Sequence, residues 1–224
     1  MRKFVRDNGL GLGFGVLFLL ALVGQALSGH ADVNDRLLTD GGDPIGLGAY
    51  LVSSEFAVDV AENWQSEYLQ FLLFVIATVW LVQRGSPESK PADRIGTESD
   101  RDQLVGAHAD EDSPRWAKLG GWRTSLFSTS LGLVMGGLFL LSWLAQSVAG
   151  RSAYNNQRLV NFQDTVTYGG YLLSPDFWNR SLQNWQSEFL AIGSMAVLSV
   201  FLRQRGSPES KPVGAAHTVT DESG

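Results

Sequence analysis

Glu67 and Glu188 are the residues best placed to do chemistry in this chain, because each opens directly onto an apolar stretch, 68–82 and 189–202. An ionisable side chain that enters a membrane is costly and by default points to function. Two carboxylates brought close also raise one another's proton affinity, which favours a shared proton or a bound cation. Gln25 and Gln146 supply amides, and Trp64 and Trp185 amphipathic aromatics, at matching places in the sequence. These six form a candidate polar intramembrane site. The plainer expectation for the same residues is interfacial anchoring and interhelical hydrogen bonding, each contributing about 0.6–2 kcal/mol.

Other chemistries lack their residues. The chain has no cysteine, which excludes disulfides, thiolate metal sites and cysteine nucleophiles. His30, His108 and His217 fall in separate segments of different character, so no histidine metal cluster is expected. No HExxH, CxxC, phosphate loop or His–Ser–Asp arrangement occurs. Neither an enzymatic activity nor a cofactor is expected. A net charge of −6 argues against a nucleic-acid partner.

The elements that must position the six residues are four apolar runs, read as transmembrane helices at about 9–27, 63–82, 126–148 and 185–202. A cleaved signal peptide is the competing reading of the first, given its basic start and Ala26-Leu27-Ser28. The matching run at 126–148 is internal, which favours retention. Measured back from Val82, Glu67 lies about 22 Å up the helix, slightly below the outer interface. Gln25 reaches about the same height from the other direction. Gln25 with Glu67, and Gln146 with Glu188, are therefore expected at one level, with Trp64 and Trp185 a turn higher in the aromatic belt.

The runs belong to one unit present twice. Asn63-Trp64-Gln65-Ser66-Glu67 recurs as Asn184-Trp185-Gln186-Ser187-Glu188, an offset of 184 − 63 = 121. Gln83 through Pro91 recurs as Gln204 through Pro212 in the same register. So do Gly29 and Gly150, Asn34 and Asn155, and Tyr50 and Tyr171. The domain plan is a first hairpin at 1–91, a charged linker at 92–121, a second hairpin at 122–212 and a disordered tail at 213–224. The fold class is an all-α membrane protein, a four-helix bundle of two tandem, same-orientation hairpins. Its pseudo-twofold axis runs along the membrane normal.

Of the 17 Lys and Arg, only Arg36, Arg151, Arg158 and Arg180 lie in the two long inter-helix segments. The positive-inside rule places both termini and the linker in the cytoplasm. Ser174-Pro175-Asp176 reads as a helix start, so the second helix of each hairpin begins before its apolar run, and the Asn-Trp step is where it would break. The linker reads as largely disordered, with a short interfacial helix near 116–122. Gly11-x-x-x-Gly15 and Gly132-x-x-x-Gly136 put small residues on one helix face for close packing. Arg84-Gly85-Ser86-Pro87 reads as a helix stop. The repeated elbow Arg84, Glu88, Lys90 and Arg205, Glu209, Lys211 either folds back on the helix ends, the favoured reading, or docks a partner. The acids of the first outer loop read as a solvated face.

The repeated Trp-Gln-Ser-Glu-(Phe/Tyr)-Leu followed by Arg-Gly-Ser-Pro-Glu-Ser-Lys-Pro resembles a bacterial integral-membrane family defined by a domain of unknown function. That resemblance covers both hairpins and implies a bacterial inner-membrane setting without assigning an activity. The first functional expectation is a non-enzymatic structural or accessory membrane protein, as a homo-oligomer or a subunit of a membrane complex. The second is a small proton- or cation-linked channel or transporter using Glu67 and Glu188. The third is a sensor working through its extracytoplasmic loops. The lipid bilayer is the one partner common to all three.

Overall fold

The computed structural model describes residues 2–221, and no strand occurs among them. The helices are α1 (Arg2–Asp7), α2 (Gly9–Thr39), α3 (Leu47–Leu51), α4 (Ser54–Trp80), α5 (Arg115–Leu119), α6 (Gly121–Ser128), α7 (Ser130–Val160), α8 (Tyr168–Leu172) and α9 (Pro175–Phe201). Four long helices are present where four spans are expected, but two of them, α2 and α7, are long and apolar enough to cross a membrane. In α4 and α9 the first half carries Glu55, Asp59, Glu62 and Asn63, or Asp176, Arg180 and Asn184, which dilutes the apolar stretch that follows.

Helix ends also differ from the apolar boundaries. α2 runs on to Thr39 and α7 to Val160. The polar sequence beyond each apolar run carries the helix on, and no proline interrupts it before Pro44 or Pro175. α2 then stops where Gly41 takes φ +79, and Phe162 closes α7 in the same left-handed region at φ +55. α9 begins as its sequence dictates: the Ser174 hydroxyl accepts from the Phe177 N–H at 3.3 Å with proline in the first turn. Ser53 does the same for Phe56 at 3.3 Å. Both helices pass the Asn-Trp step without a break.

The chain divides into two compact units, Met1–Val60 with Ala145–Tyr168 and Ala61–Leu144 with Gly169–Gly224. Each unit takes parts of both copies. In the first unit, Asn34 clasps the loop after α2, accepting from the Ile45 N–H at 2.8 Å and donating to its carbonyl at 3.0 Å. Asn155 clasps Val166 in the same two-bond way at 2.8 and 3.1 Å. His30 donates to the Ile45 carbonyl at 2.7 Å, and Arg151, its counterpart, donates to that of Val166 at 3.2 Å. Tyr50 is fully buried, with His30 and Phe56 at ring distances of 5.9 and 5.4 Å. Local structure thus repeats at the spacing of the sequence.

In the second unit α7 meets α9 through aromatics. Trp143 stacks with Phe139 and Phe177 at 5.5 and 5.9 Å, lies 5.8 Å from Trp185, and donates its indole N–H to Ser181 at 3.3 Å. Of the four GxxxG glycines, only Gly136 has a neighbour where a Cβ would stand, Leu72 at 3.6 Å. Gly11, Gly15 and Gly132 face open space within 4 Å, so close backbone approach is not what those glycines supply here. The tail, expected to lack structure, is held as far as Asp221. The Gly85 N–H donates to Thr220 Oγ1 at 2.9 Å and the Asp221 N–H to the Ser86 carbonyl at 3.3 Å. The remainder of the expected tail, 222–224, lies outside the described residues.

Candidate functional site

On α4, buried positions recur at Val58, Ala61, Gln65 and Leu69, the three- and four-residue spacing of one helix face. Gln65 is the polar member of that stripe, and at full burial its amide must find a partner. Its Oε1 accepts from the indole N–H of Trp185 of α9 at 2.8 Å, and its Nε2 donates to the Glu62 carbonyl at 3.1 Å. One turn before Gln65, Arg180 of α9 donates to Glu62 at 2.9 Å and lies 3.4 Å from Asp176. Glu62 and Asp176 thus flank the Arg180 guanidinium with two opposite charges. The Tyr171 hydroxyl donates to Asp176 at 3.2 Å, and its pKa is pushed up by burial and then by the Asp176 charge. A polar cavity of about 300 Å³ opens here, lined by Glu62, Asp176, Asn179, Arg180, Gln183 and Asn184.

The two candidate carboxylates lie within electrostatic reach of one another. Glu188 faces Glu67 and the hydroxyl of Ser66, with Glu67 exposed and Glu188 half-buried. Trp64 is 42% exposed, whereas its counterpart Trp185 is committed to Gln65. Gln25 is half-buried on α2 and Gln146 fully buried on α7, both in the first unit. Gln70 Oε1 is buried on α4 without a hydrogen-bond partner.

The elbows fold back on themselves. In each, a serine hydroxyl accepts from the glutamine N–H six residues earlier, Ser89 from Gln83 at 2.8 Å and Ser210 from Gln204 at 2.9 Å. Gly85 and Gly206 make the turn at φ +88 and +81, a backbone that suits glycine. Lys90 pairs with Glu98 at 2.8 Å and donates to the Gly96 carbonyl at 3.0 Å. Lys211 is fully buried and donates to the carbonyls of Ala216, His217 and Val219 at 3.2, 3.0 and 3.1 Å. The lysines therefore anchor the chain just downstream rather than the helix ends themselves. Arg84 and Arg205 are exposed. Glu88 is turned towards Glu209, and its pKa is pushed up to about 7, first by burial and then by Glu209.

Arg203 is a site residue that the comparison of copies passes over. It caps α9 by donating to the carbonyls of Val200 and Leu202 at 3.1 and 2.8 Å and ties in the tail through Ala215 at 3.0 Å. Its counterpart in the first copy is Val82, so the repeat gives no signal for it. Trp143 is hidden likewise, because Leu22 stands in its place. Gln65 does lie within the repeated pentapeptide, which was its available signal. A family model described as a domain of unknown function matches residues 1–222. No curated protein and no solved structure matches the chain.

Proposed function

The chain belongs to the DUF6766 family, defined by a domain of unknown function, and on that premise we propose that it is a non-enzymatic bacterial inner-membrane protein with a structural or accessory role. It works as a homo-oligomer or as a subunit of a larger membrane complex. In this reading α2, α4, α7 and α9 are four spans, forming two hairpins inserted the same way up about a pseudo-twofold axis along the membrane normal. Both termini and the linker face the cytoplasm.

The observation that carries the structural role is the bonding of one copy to the other, Arg180 to Glu62, Trp185 to Gln65, and Ser86 to Ser199 at 3.3 Å among the described residues. Gln65 and Ser86 are fully buried, and buried groups bonded to one another are costly to separate. They are committed to holding the two copies together rather than to passing a solute. Purification of the tagged chain from its host membrane in mild detergent is the test. A stable oligomer or a stoichiometric membrane partner is expected, and a solitary monomer overturns the reading. The insertion scheme is checked with Gln83→Cys and Gln204→Cys, both at exposed positions of a chain without cysteine. Impermeant thiol reagents should label both from the same side.

A second reading, a small proton- or cation-linked channel, is favoured by one observation: the Glu188 carboxylate faces Glu67 and Ser66. Liposome flux measurements separate it from the first. Flux that disappears in Glu67→Gln and Glu188→Gln supports a channel, and absence of flux in the native chain ends that reading.

A further inference from the structure

Residues 115–128, just before α7, carry Arg115, Lys118 and Arg123 and no Asp or Glu, within a chain of net charge −6. The stretch immediately upstream is acidic, with Asp110, Glu111 and Asp112. Positive charge is thus concentrated at the foot of α7. The segment has a defined shape. Gly120 and Gly121, at φ +70 and +63, reverse the chain between α5 and α6. The Thr124 hydroxyl donates to the Trp116 carbonyl at 2.6 Å across the turn, and Ala117 and Thr124 are buried inside it. Trp116 and Trp122 meet edge to face at 6.3 Å, and the Arg123 guanidinium lies 5.4 Å from the Trp122 ring centre.

Folding this knuckle leaves its largest apolar groups outside. Trp122 is 68% exposed, Leu119 44% and Trp116 41%. Tryptophan prefers the headgroup level of a bilayer, and Lys and Arg beside a span are drawn to anionic lipid. One residue, Thr129, separates α6 from α7. The surface is therefore amphipathic, basic and covalently joined to a helix apolar enough to cross a membrane.

We propose that the α5–α6 knuckle docks on anionic phospholipid headgroups beside α7, with Trp122 and Leu119 entering the headgroup layer and Arg115, Lys118 and Arg123 meeting the phosphates. This rests on the membrane reading above. A spin label on Leu119→Cys, the sole cysteine in the full chain, reports depth in lipid nanodiscs. In phosphatidylglycerol-containing discs it should be shielded from aqueous quencher, and in pure phosphatidylcholine discs exposed. Arg115→Gln, Lys118→Gln and Arg123→Gln together should shift the docked-to-free ratio on the order of a hundredfold, at roughly fivefold per cation near an anionic surface. Trp122→Ala should weaken docking in the phosphatidylglycerol-containing discs. Equal exposure of the label in both discs, or docking unchanged by the triple variant, overturns the proposal. A second label at Leu140→Cys, on the apolar part of α7, separates the two ideas. If it is reached by aqueous quencher, the membrane reading fails and the knuckle proposal with it; if it stays shielded while the Leu119 label does not, the knuckle proposal alone fails.

Discussion

Replacing Gly29 with alanine should destabilise this protein through a single identifiable collision. A Cβ on Gly29 would stand 2.1 Å from the Tyr50 hydroxyl oxygen and 3.1 Å from Cζ. Ordinary contact begins near 3.4 Å, so the ring would have to retreat by more than an ångström. It has little room, because Tyr50 is 1% exposed and boxed in by His30 and Phe56. Overpacking of this kind costs about 1–3 kcal/mol. For a chain of this size that lowers Tm by roughly 2–4 °C per kcal/mol. Removing the hydroxyl removes the closest atom and leaves Cζ needing a shift of only a few tenths of an ångström. Tyr50→Phe should therefore rescue Gly29→Ala, with a favourable coupling of about 1–2 kcal/mol in the double-mutant cycle. Thermal unfolding of the four proteins in detergent measures it. The reasoning is refuted if Gly29→Ala melts with the native chain, or if its loss persists undiminished beside Tyr50→Phe.

Asn34→Ala and Asn155→Ala each remove two bonds to loop backbone, to Ile45 and Val166. Each should cost about 1–3 kcal/mol and speed proteolytic nicking of its own loop, and cleavage at the native rate would contradict this. Arg180→Gln strands Glu62 and Asp176 beside one another and should lower Tm more than Glu62→Gln, whose amide still accepts from Arg180. Equal losses would show that the charge itself matters little. Folding raises the Glu88 pKa from the ordinary carboxylate value to about 7, so the native state holds a proton that the unfolded chain releases. That contribution is complete below the ordinary value and is lost as pH rises through about 7. Tm should fall between about pH 5 and pH 8, and Glu88→Gln should flatten the profile; parallel profiles would exclude Glu88 as the source.

Much of the local structure was legible because it depends on near neighbours. Ser174-Pro175 specifies the start of α9 by supplying an acceptor for a free N–H and a ring that fits the first turn. Gly85 and Gly206 specify the elbows because few other residues tolerate their backbone. Asn34 and Asn155 correspond at the offset of 121, but that each clasps its loop is seen only in the structure. The lengths of α2 and α7 were not legible from hydropathy, because apolar content marks where a helix would contact lipid and not where its hydrogen-bond ladder ends.

What the sequence by itself determined is the repeat, which is a plain identity of residues 121 positions apart, and the helical character and the turns, which are set by residues within a few positions of one another. What only the tertiary structure decided is how identical segments come to differ. Residues 83–91 and 204–212 have the same sequence. Yet Ser86 and Pro87 are buried while Pro208 is exposed, and Lys211 is sealed by three carbonyls where Lys90 meets Glu98. Gln65 is buried against Trp185 while Gln186 lies exposed. The physical reason is that burial belongs to the surroundings. The tail that follows Pro212 lands on the first elbow through Thr220 and Asp221, and a local sequence carries no record of what will cover it.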